Sequence, residues 1–374
     1  MTGDLEAFLV ERIRDRGPLP FAAYMQLVLY HPTHGYYRRH ARTGRGGHFM
    51  TSPELDPSFG ALWARGFERV WHALGRPGEF HVIEVGPGEG GLAGAALASA
   101  GGAFGDALRF DLVERSPSSR ERQRDLLAGD PRVSWHAALA EVPHVIAGCL
   151  FANEVLDNLP VHLAEIRDGT LVELCVSEVR GRLTIVQLPP SSGELEAFIG
   201  RAGLPVREGH RYEITLAAES LVSHAARALE RGALVFVDYG LESDAYASRP
   251  LGTLLAYSPE GADDDVLSRP GQRDVTAHAN WTAVRGALER ERFEVTGPIP
   301  QRVLLRELGA DELDERLKTR HADALGRGEG SRAVRALSGR QALGALLDPG
   351  GLGGLEVLVG VRGVPADVLQ RAGL

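Results

Sequence analysis

Two groups of polar residues carry chemistry that packing does not require. The first is Asn153-Glu154-Val-Leu-Asp157-Asn158-Leu-Pro160, which follows the almost wholly apolar run from His144 to Ala152. That run reads as a strand buried on both faces, and open α/β sheets place their chemistry at the carboxyl ends of such strands. A capped turn would use one or two of these polar side chains, not four. The second group surrounds the glycines of Glu84-Val-Gly86-Pro-Gly88-Glu-Gly90. β-Branched Val82, Ile83 and Val85 precede it, and the Ala- and Leu-rich stretch Leu92 to Ala100 follows. The order is therefore strand, glycine turn, helix, the opening βα unit of a nucleotide-binding sheet.

Glycine lets a ligand approach the backbone, and the residues between the glycines restrict which ligand. The spacing is G-x-G-x-G, whereas dinucleotide sites use G-x-G-x-x-G with the pyrophosphate on the helix N-terminus. Carboxylates at Glu84 and Glu89 would repel a pyrophosphate in a partly dry cleft. They suit a ligand that carries an ammonium and a sulfonium, as S-adenosylmethionine does. Roughly one βα unit further on, the strand Arg109–Arg115 delivers Glu114, which can take both ribose hydroxyls. A third strand, Arg132–His136, brings Trp135 near the place of an adenine ring. Glu84, Gly86, Gly88, Gly90, Glu114 and Trp135 are the expected cofactor-binding residues, and an NAD-dependent enzyme ranks lower.

Other elements must position these groups. Leu5, Phe8, Leu9 and Ile13 share one helical face, and a second helix spans Phe21 to Tyr30 before His31-Pro32. The segment from His34 to Glu54 is rich in glycine and polar residues yet carries aromatics, as loops that fold over a site do. Phe59 to Leu74 is helical. Ser116 is an N-cap, with Pro117 at the first position of a helix reaching Leu127. Val161 to Leu188 alternates and is broken at Arg167-Asp-Gly169 and Val179-Arg-Gly-Arg182, the pattern of a β-meander. A helix from Ala217 to Arg231 is expected to end at Gly232, and the strand from Ala233 ends in Asp238. Asp263-Asp264-Asp265 reads as a solvated loop. Thr276 to Phe293 reads as helix, Glu294 to Ile299 as strand, Gln301 to Leu347 as two or three helices, and Leu355 to Val361 as a last strand. The expected segments are an N-terminal helical cap with an active-site loop (1–79), an α/β core with the meander inserted at about 161–190 (80–300), and C-terminal helices with the final strand (301–374).

The chain has 374 residues, 44% hydrophobic and 24% charged, with a net charge of −9 and a pI near 5.8. This is an ordinary globular composition whose acidity disfavours broad nucleic-acid or anionic-membrane binding. Cys149 and Cys175 lie in apolar runs without metal-ligand spacing, so no metal is expected and both thiols should be reduced. No run is long enough to span a membrane, and Met1 to Arg16 has neither a signal core nor transit-peptide character, which points to the cytoplasm.

The ordered motifs resemble the MidA-like family of class I S-adenosylmethionine-dependent methyltransferases. They are Tyr24-Met25, His34-Gly-Tyr-Tyr37, Phe49-Met-Thr-Ser-Pro-Glu54, Phe59-Gly60, Glu84 to Gly90, Leu112-Val-Glu-Arg-Ser-Pro117, Ala152 to His162, Asp238-Tyr-Gly240, Pro270-Gly271, Asp274 and Thr276-Ala-His278. The resemblance covers roughly Pro20 to Gly309. It implies a Rossmann-like, seven-stranded α/β sheet with an antiparallel last strand. It also implies protein arginine methylation, since mitochondrial members of the family are complex I assembly factors with that activity. The chain departs from the family pattern at Gly47-His48-Phe49, where His48 replaces the usual aspartate, and at Val303, where an aromatic is usual.

If arginine is the acceptor, its guanidinium is protonated and unreactive until its charge is localised. Paired carboxylates can hold the fork bidentately and take up a proton. Glu154 and Asp157 are the catalytic candidates, supported by Asn153 and Asp238, with His278 as a further proton acceptor. The partner is then a protein, or a small molecule if the same cofactor site serves an O- or N-methyltransferase. A homodimer is left open. A non-catalytic assembly protein is the third reading, which the carboxylates around the glycine turn disfavour.

Overall fold

A computed structural model describes residues 4–39 and 51–364; His48 and the remainder of the expected active-site loop between them lie outside these residues. The chain forms two compact units assembled from separated segments. One contains Met1–Ala41, Glu154–Ser223 and Asp238–Glu291; the other contains Arg42–Asn153, His224–Val237 and Arg292–Leu374.

The second unit is built on a seven-stranded sheet. Its strands are β1 (Phe80–Val85), β2 (Leu108–Val113), β3 (Val133–His136), β4 (Val145–Asn153), β5 (Leu229–Asp238), β6 (Glu294–Pro300) and β7 (Glu356–Arg362). They lie in the order β6-β7-β5-β4-β1-β2-β3. β1 runs parallel to β2 and β4, β2 to β3, and β4 to β5, whereas β7 is antiparallel to β6. This is the sheet the class I resemblance implies. Its strands are apolar because helices cover them: Trp63 and Phe67 of the helix Ser58–Ala73 meet Phe151 of β4 with ring centroids 4.6 and 5.8 Å apart.

The first unit carries the meander, whose strands are His162–Arg167, Thr170–Val179 and Arg182–Leu188. Both its turns are two residues long, Asp168-Gly169 and Arg180-Gly181, and all four residues have positive φ, as tight hairpins require. Arg211–Ile214 adds a strand to the same sheet.

Two element boundaries differ from the sequence expectation. The helix beginning at Leu216 stops at Ala228, and β5 begins at Leu229 rather than Ala233. Gly232 is not a helix cap but lies inside the strand at φ +135°, where a Cβ would collide with the Gly148 carbonyl of β4. The helix expected from Thr276 begins at Trp281, because the Asn280 side chain caps it by accepting from the Ala283 N–H at 3.0 Å. The acidic triplet is also more than a solvated loop. Asp263 pairs with Arg273 at 2.7 Å, and that guanidinium is buried and also donates to the Ala256 carbonyl and Ser268 Oγ.

Asp111 of β2 is a buried structural carboxylate. Its two oxygens lie 2.7 Å from His81 Nδ1 and 2.9 Å from His136 Nε2, so it ties β1, β2 and β3 together. Burial alone would raise its pKa, but the two histidine hydrogen bonds outweigh burial and hold it below the usual value. A depressed carboxylate contributes stability above its unfolded pKa of about 4 and loses it as pH falls through the folded value. Asp111→Asn should therefore cost about 1–3 kcal/mol at pH 7, as for a hydrogen bond to a charged group. In urea unfolding, the gap between the variant and the parent should close as pH falls below the usual carboxylate range.

Candidate active site

In the sheet-containing unit, the expected cofactor residues gather at the carboxyl ends of three adjacent parallel strands. Gly86, Gly88 and Gly90 have φ of +66°, +55° and +90°, and Gly90 leads into the helix Gly91–Ser99. Other side chains would be strained at all three positions. Gln123 braces the turn from outside, donating from Nε2 to the Gly88 carbonyl at 2.8 Å. Glu84, at the penultimate position of β1, is 3% exposed, and its Oε2 has no hydrogen-bond partner among the described residues. Burial, then the charge of Glu54, pushes its pKa well above the usual value.

Glu114 follows β2 directly. One of its oxygens accepts the Ser116 N–H at 2.7 Å, and Ser116 in turn caps the helix Pro117–Leu126 by accepting from the Ser119 N–H. Burial raises the Glu114 pKa, opposed by that N–H and by Arg120 and Arg122. Trp135 is half-buried on β3 and packs on the core, with the Arg124 guanidinium 5.2 Å from its ring centroid. One face of the indole is thus engaged by a neighbour on the preceding helix, Pro117–Leu126.

Glu89 does not do what its place in the turn suggests. Arg122 binds it bidentately, with Nε to Oε2 and Nη2 to Oε1 both at 2.9 Å, so its charge is neutralised within the protein. The second carboxylate acting on Glu84 is instead Glu54, from the short helix Ser52–Leu55. Its Oε1 accepts the Glu89 N–H at 2.9 Å.

The other unit holds the acidic cluster. Glu154 has φ +52°, strained for a residue with a side chain, and begins a turn through Asp157. Asp238 is fully buried and is filled by backbone donors. Its Oδ2 accepts the N–H groups of Val155, Leu156 and Asp157 at 3.1, 2.8 and 3.2 Å, and Oδ1 accepts that of Tyr239 at 2.8 Å. Burial and the Glu154 charge push it up to about 7 against those donors. Asp238 therefore positions the turn rather than facing a ligand. Asp157 differs: its Oδ1 is buried without a partner among the described residues. Burial, followed by the charges of Asp238, Asp274 and Glu154, drives its pKa well up.

Asp274 is a fourth carboxylate here. It accepts the Tyr37 hydroxyl at 3.1 Å and Asn158 Nδ2 at 3.2 Å, and burial pushes it up to about 7. Tyr37 stacks on Tyr30 with centroids 5.5 Å apart, and Tyr239 stacks on His278 at 6.3 Å. Burial lowers the His278 pKa, and its Nδ1 has no partner among the described residues. Asn153, the last residue of β4, belongs to the other unit and pairs in register with Val237. Asp274 and Tyr37 stood in the sequence only as members of ordered motifs. The signal that could have singled out Asp274 is an acidic residue four positions before His278.

Residues 62–299 match the model of an S-adenosyl-L-methionine-dependent methyltransferase family. The chain belongs to that family. The protein arginine methyltransferase NDUFAF7 homolog of Drosophila melanogaster, a mitochondrial protein, is 29% identical over 353 residues, covering 84% of this chain and 77% of its own. Human mitochondrial NDUFAF7 is 30% identical, covering 81% and 73% respectively. A crystal structure from Burkholderia thailandensis, bound to S-adenosyl-homocysteine, superposes with a TM-score of 0.83 at 30% identity, covering 99% of this chain and 97% of that one.

This methyltransferase uses S-adenosylmethionine, and its own residues fit that cofactor. The unpartnered, buried Glu84 oxygen beside the glycine turn suits an ammonium, and Glu114 after β2 suits a ribose. Replacing Glu114 with Ala should weaken S-adenosylmethionine binding by about 1.5–3 kcal/mol, as when a charged hydrogen-bonding partner is lost. Titration calorimetry reads that change, and NAD should give no binding heat with the parent protein. Asp238→Asn should lower unfolding stability by about 2–4 kcal/mol, because an amide cannot accept the same set of N–H donors. Asp157→Asn should leave stability unchanged or raise it slightly, because it removes like-charge repulsion at an unpartnered oxygen. Urea unfolding of the two variants tests this contrast.

Proposed function

We propose that this methyltransferase N-methylates arginine in a protein substrate, and that Glu154 and Asp157 hold the guanidinium. The supporting observation is the acidic cluster itself. Asp157 keeps a buried oxygen unpartnered, with Glu154, Asp238 and Asp274 all raising its pKa, and tyrosine rings stand nearby. Such a group of carboxylates favours a cation, which relieves their mutual repulsion, and aromatic faces add to the attraction. A planar guanidinium matches paired carboxylates better than an ammonium does. The names of the fly and human relatives support the same acceptor.

The cofactor supplies a methyl group on a sulfonium, which the acceptor nitrogen takes by in-line displacement. A nitrogen–carbon bond forms, the carbon–sulfur bond breaks, and the nitrogen gives up a proton. Glu154 and Asp157 orient the fork and draw positive charge towards the nitrogens they hold, leaving the attacking nitrogen the more nucleophilic. The proton passes to a carboxylate of the cluster or to neutral His278, whose Nδ1 is available for it. Asp238 and Tyr37 act through the groups they position.

Incubation of lysate with labelled S-adenosylmethionine and purified enzyme should place label in protein, as methylarginine after hydrolysis. Label confined to small molecules would favour the O- or N-methyltransferase reading. Glu154→Gln keeps the shape but removes the charge, and should reduce turnover about a hundredfold, ~3 kcal/mol of transition-state stabilisation, with cofactor affinity retained. If Glu154 serves only the turn, the variant will instead melt earlier and keep its turnover per folded molecule.

A further inference from the structure

We propose that Glu54 is a cofactor-binding residue: with Glu84 it forms a two-carboxylate seat for the α-ammonium at the amino-acid end of S-adenosylmethionine. The inference rests on the cofactor alone and is independent of the acceptor.

Glu54 reaches the glycine turn from a different part of the chain. Its Oε1 accepts the Glu89 N–H at 2.9 Å, between Gly88 and Gly90. A Cβ built on Gly91 would lie 3.8 Å from the same oxygen and 2.7 Å from the Pro53 carbonyl oxygen, so the short helix Ser52–Leu55 lies directly on the turn. That helix is held firmly. Ser52 is fully buried and accepts from Gln301 Nε2 at 3.2 Å, and Gln301, also fully buried, donates to the Leu352 carbonyl at 2.8 Å. Glu54 is thus presented on a fixed support.

A second observation points to a ligand. The buried Glu84 Oε2 has no partner among the described residues, and Glu54 is the charge that most raises the Glu84 pKa after burial. Two carboxylates at one end of a glycine turn repel each other and are best reconciled by a cation. Glu89, the other acid of the turn, is neutralised by Arg122 and does not compete.

Calorimetry with two ligands separates this role from a purely structural one. S-adenosylhomocysteine carries the ammonium, whereas 5′-methylthioadenosine keeps the nucleoside and lacks the amino-acid end. Glu54→Gln retains an oxygen for the Glu89 N–H and loses only the charge. It should raise the Kd of S-adenosylhomocysteine roughly ten- to a hundredfold and leave that of 5′-methylthioadenosine unchanged. Glu84→Gln should show the same selectivity. Equal weakening of both ligands by Glu54→Gln would mean that Glu54 only shapes the turn, and no weakening of either would remove it from the site; both results overturn the proposal.

Discussion

The Asp238 carboxylate gathers four backbone N–H groups, and the acidic cluster depends on that arrangement. β4 and β5 are hydrogen-bonded neighbours up to Asn153 and Val237, so the residues that follow, Glu154 and Asp238, leave the sheet side by side. The acid at the end of one strand can then bind the turn that leaves the other. Without it, three consecutive N–H groups in a partly buried turn would have no acceptor, a loss of about 1–3 kcal/mol for the buried Leu156 N–H alone. The turn also holds Glu154 at positive φ, a strain of about 1–3 kcal/mol that only a well-determined surrounding structure sustains. A strained backbone at a strand end is the way this fold aims Glu154 and Asp157.

Two pairs of buried carboxylates behave in opposite ways, whereas Asp238 is raised even though backbone donors fill it. Asp111 sits between two histidines, and Glu173 accepts from His162 Nδ1 and from the Ser191 N–H. For both, hydrogen bonds outweigh burial and the pKa falls. Asp157 and Glu84 each keep an oxygen without a partner among the described residues, and their pKa values rise. Folding alone gains nothing from such a group, because an uncompensated buried charge destabilises. The two pairs therefore call for different explanations: the first joins elements of the fold, and the second is explained by the cations proposed for it.

What was legible in the sequence follows the range of the interactions involved. The strand, glycine turn and helix around Gly86 to Gly90 rest on local preferences, as do the Ser116-Pro117 cap and the two-residue turns of the meander, and all of them form. The helix ending at Ala228 was harder to read because Gly232 resembles a helix stop, while its actual constraint is the Gly148 backbone on the neighbouring strand. Asp238 was recognisable as polar at a strand end, but only the turn it binds distinguishes a positioning acid from a reacting one. The pairing of Glu89 with Arg122 joins residues 33 positions apart, and no spacing pattern announces it. The assembly of each unit from separated segments is of the same kind, since each is closed by contacts among segments far apart in sequence.

The Glu89–Arg122 pair removes half of the electrostatic case against a dinucleotide, so that case must rest elsewhere. A pyrophosphate needs the exposed N–H groups at a helix N-terminus, which supply both hydrogen bonds and the positive end of the helix dipole. Here the Glu89 N–H is already taken by Glu54, and the Pro53 carbonyl lies within a side chain's reach of Gly91, the first residue of the helix. A carbonyl oxygen and a carboxylate thus occupy the place where phosphate oxygens would sit. Buried Glu84 beside them adds to what disfavours an anion at this helix start. The same glycine geometry that elsewhere admits phosphates is in this way better matched to a positively charged ligand, and under the proposal a four-residue helix outside the nucleotide-binding motif contributes to that match.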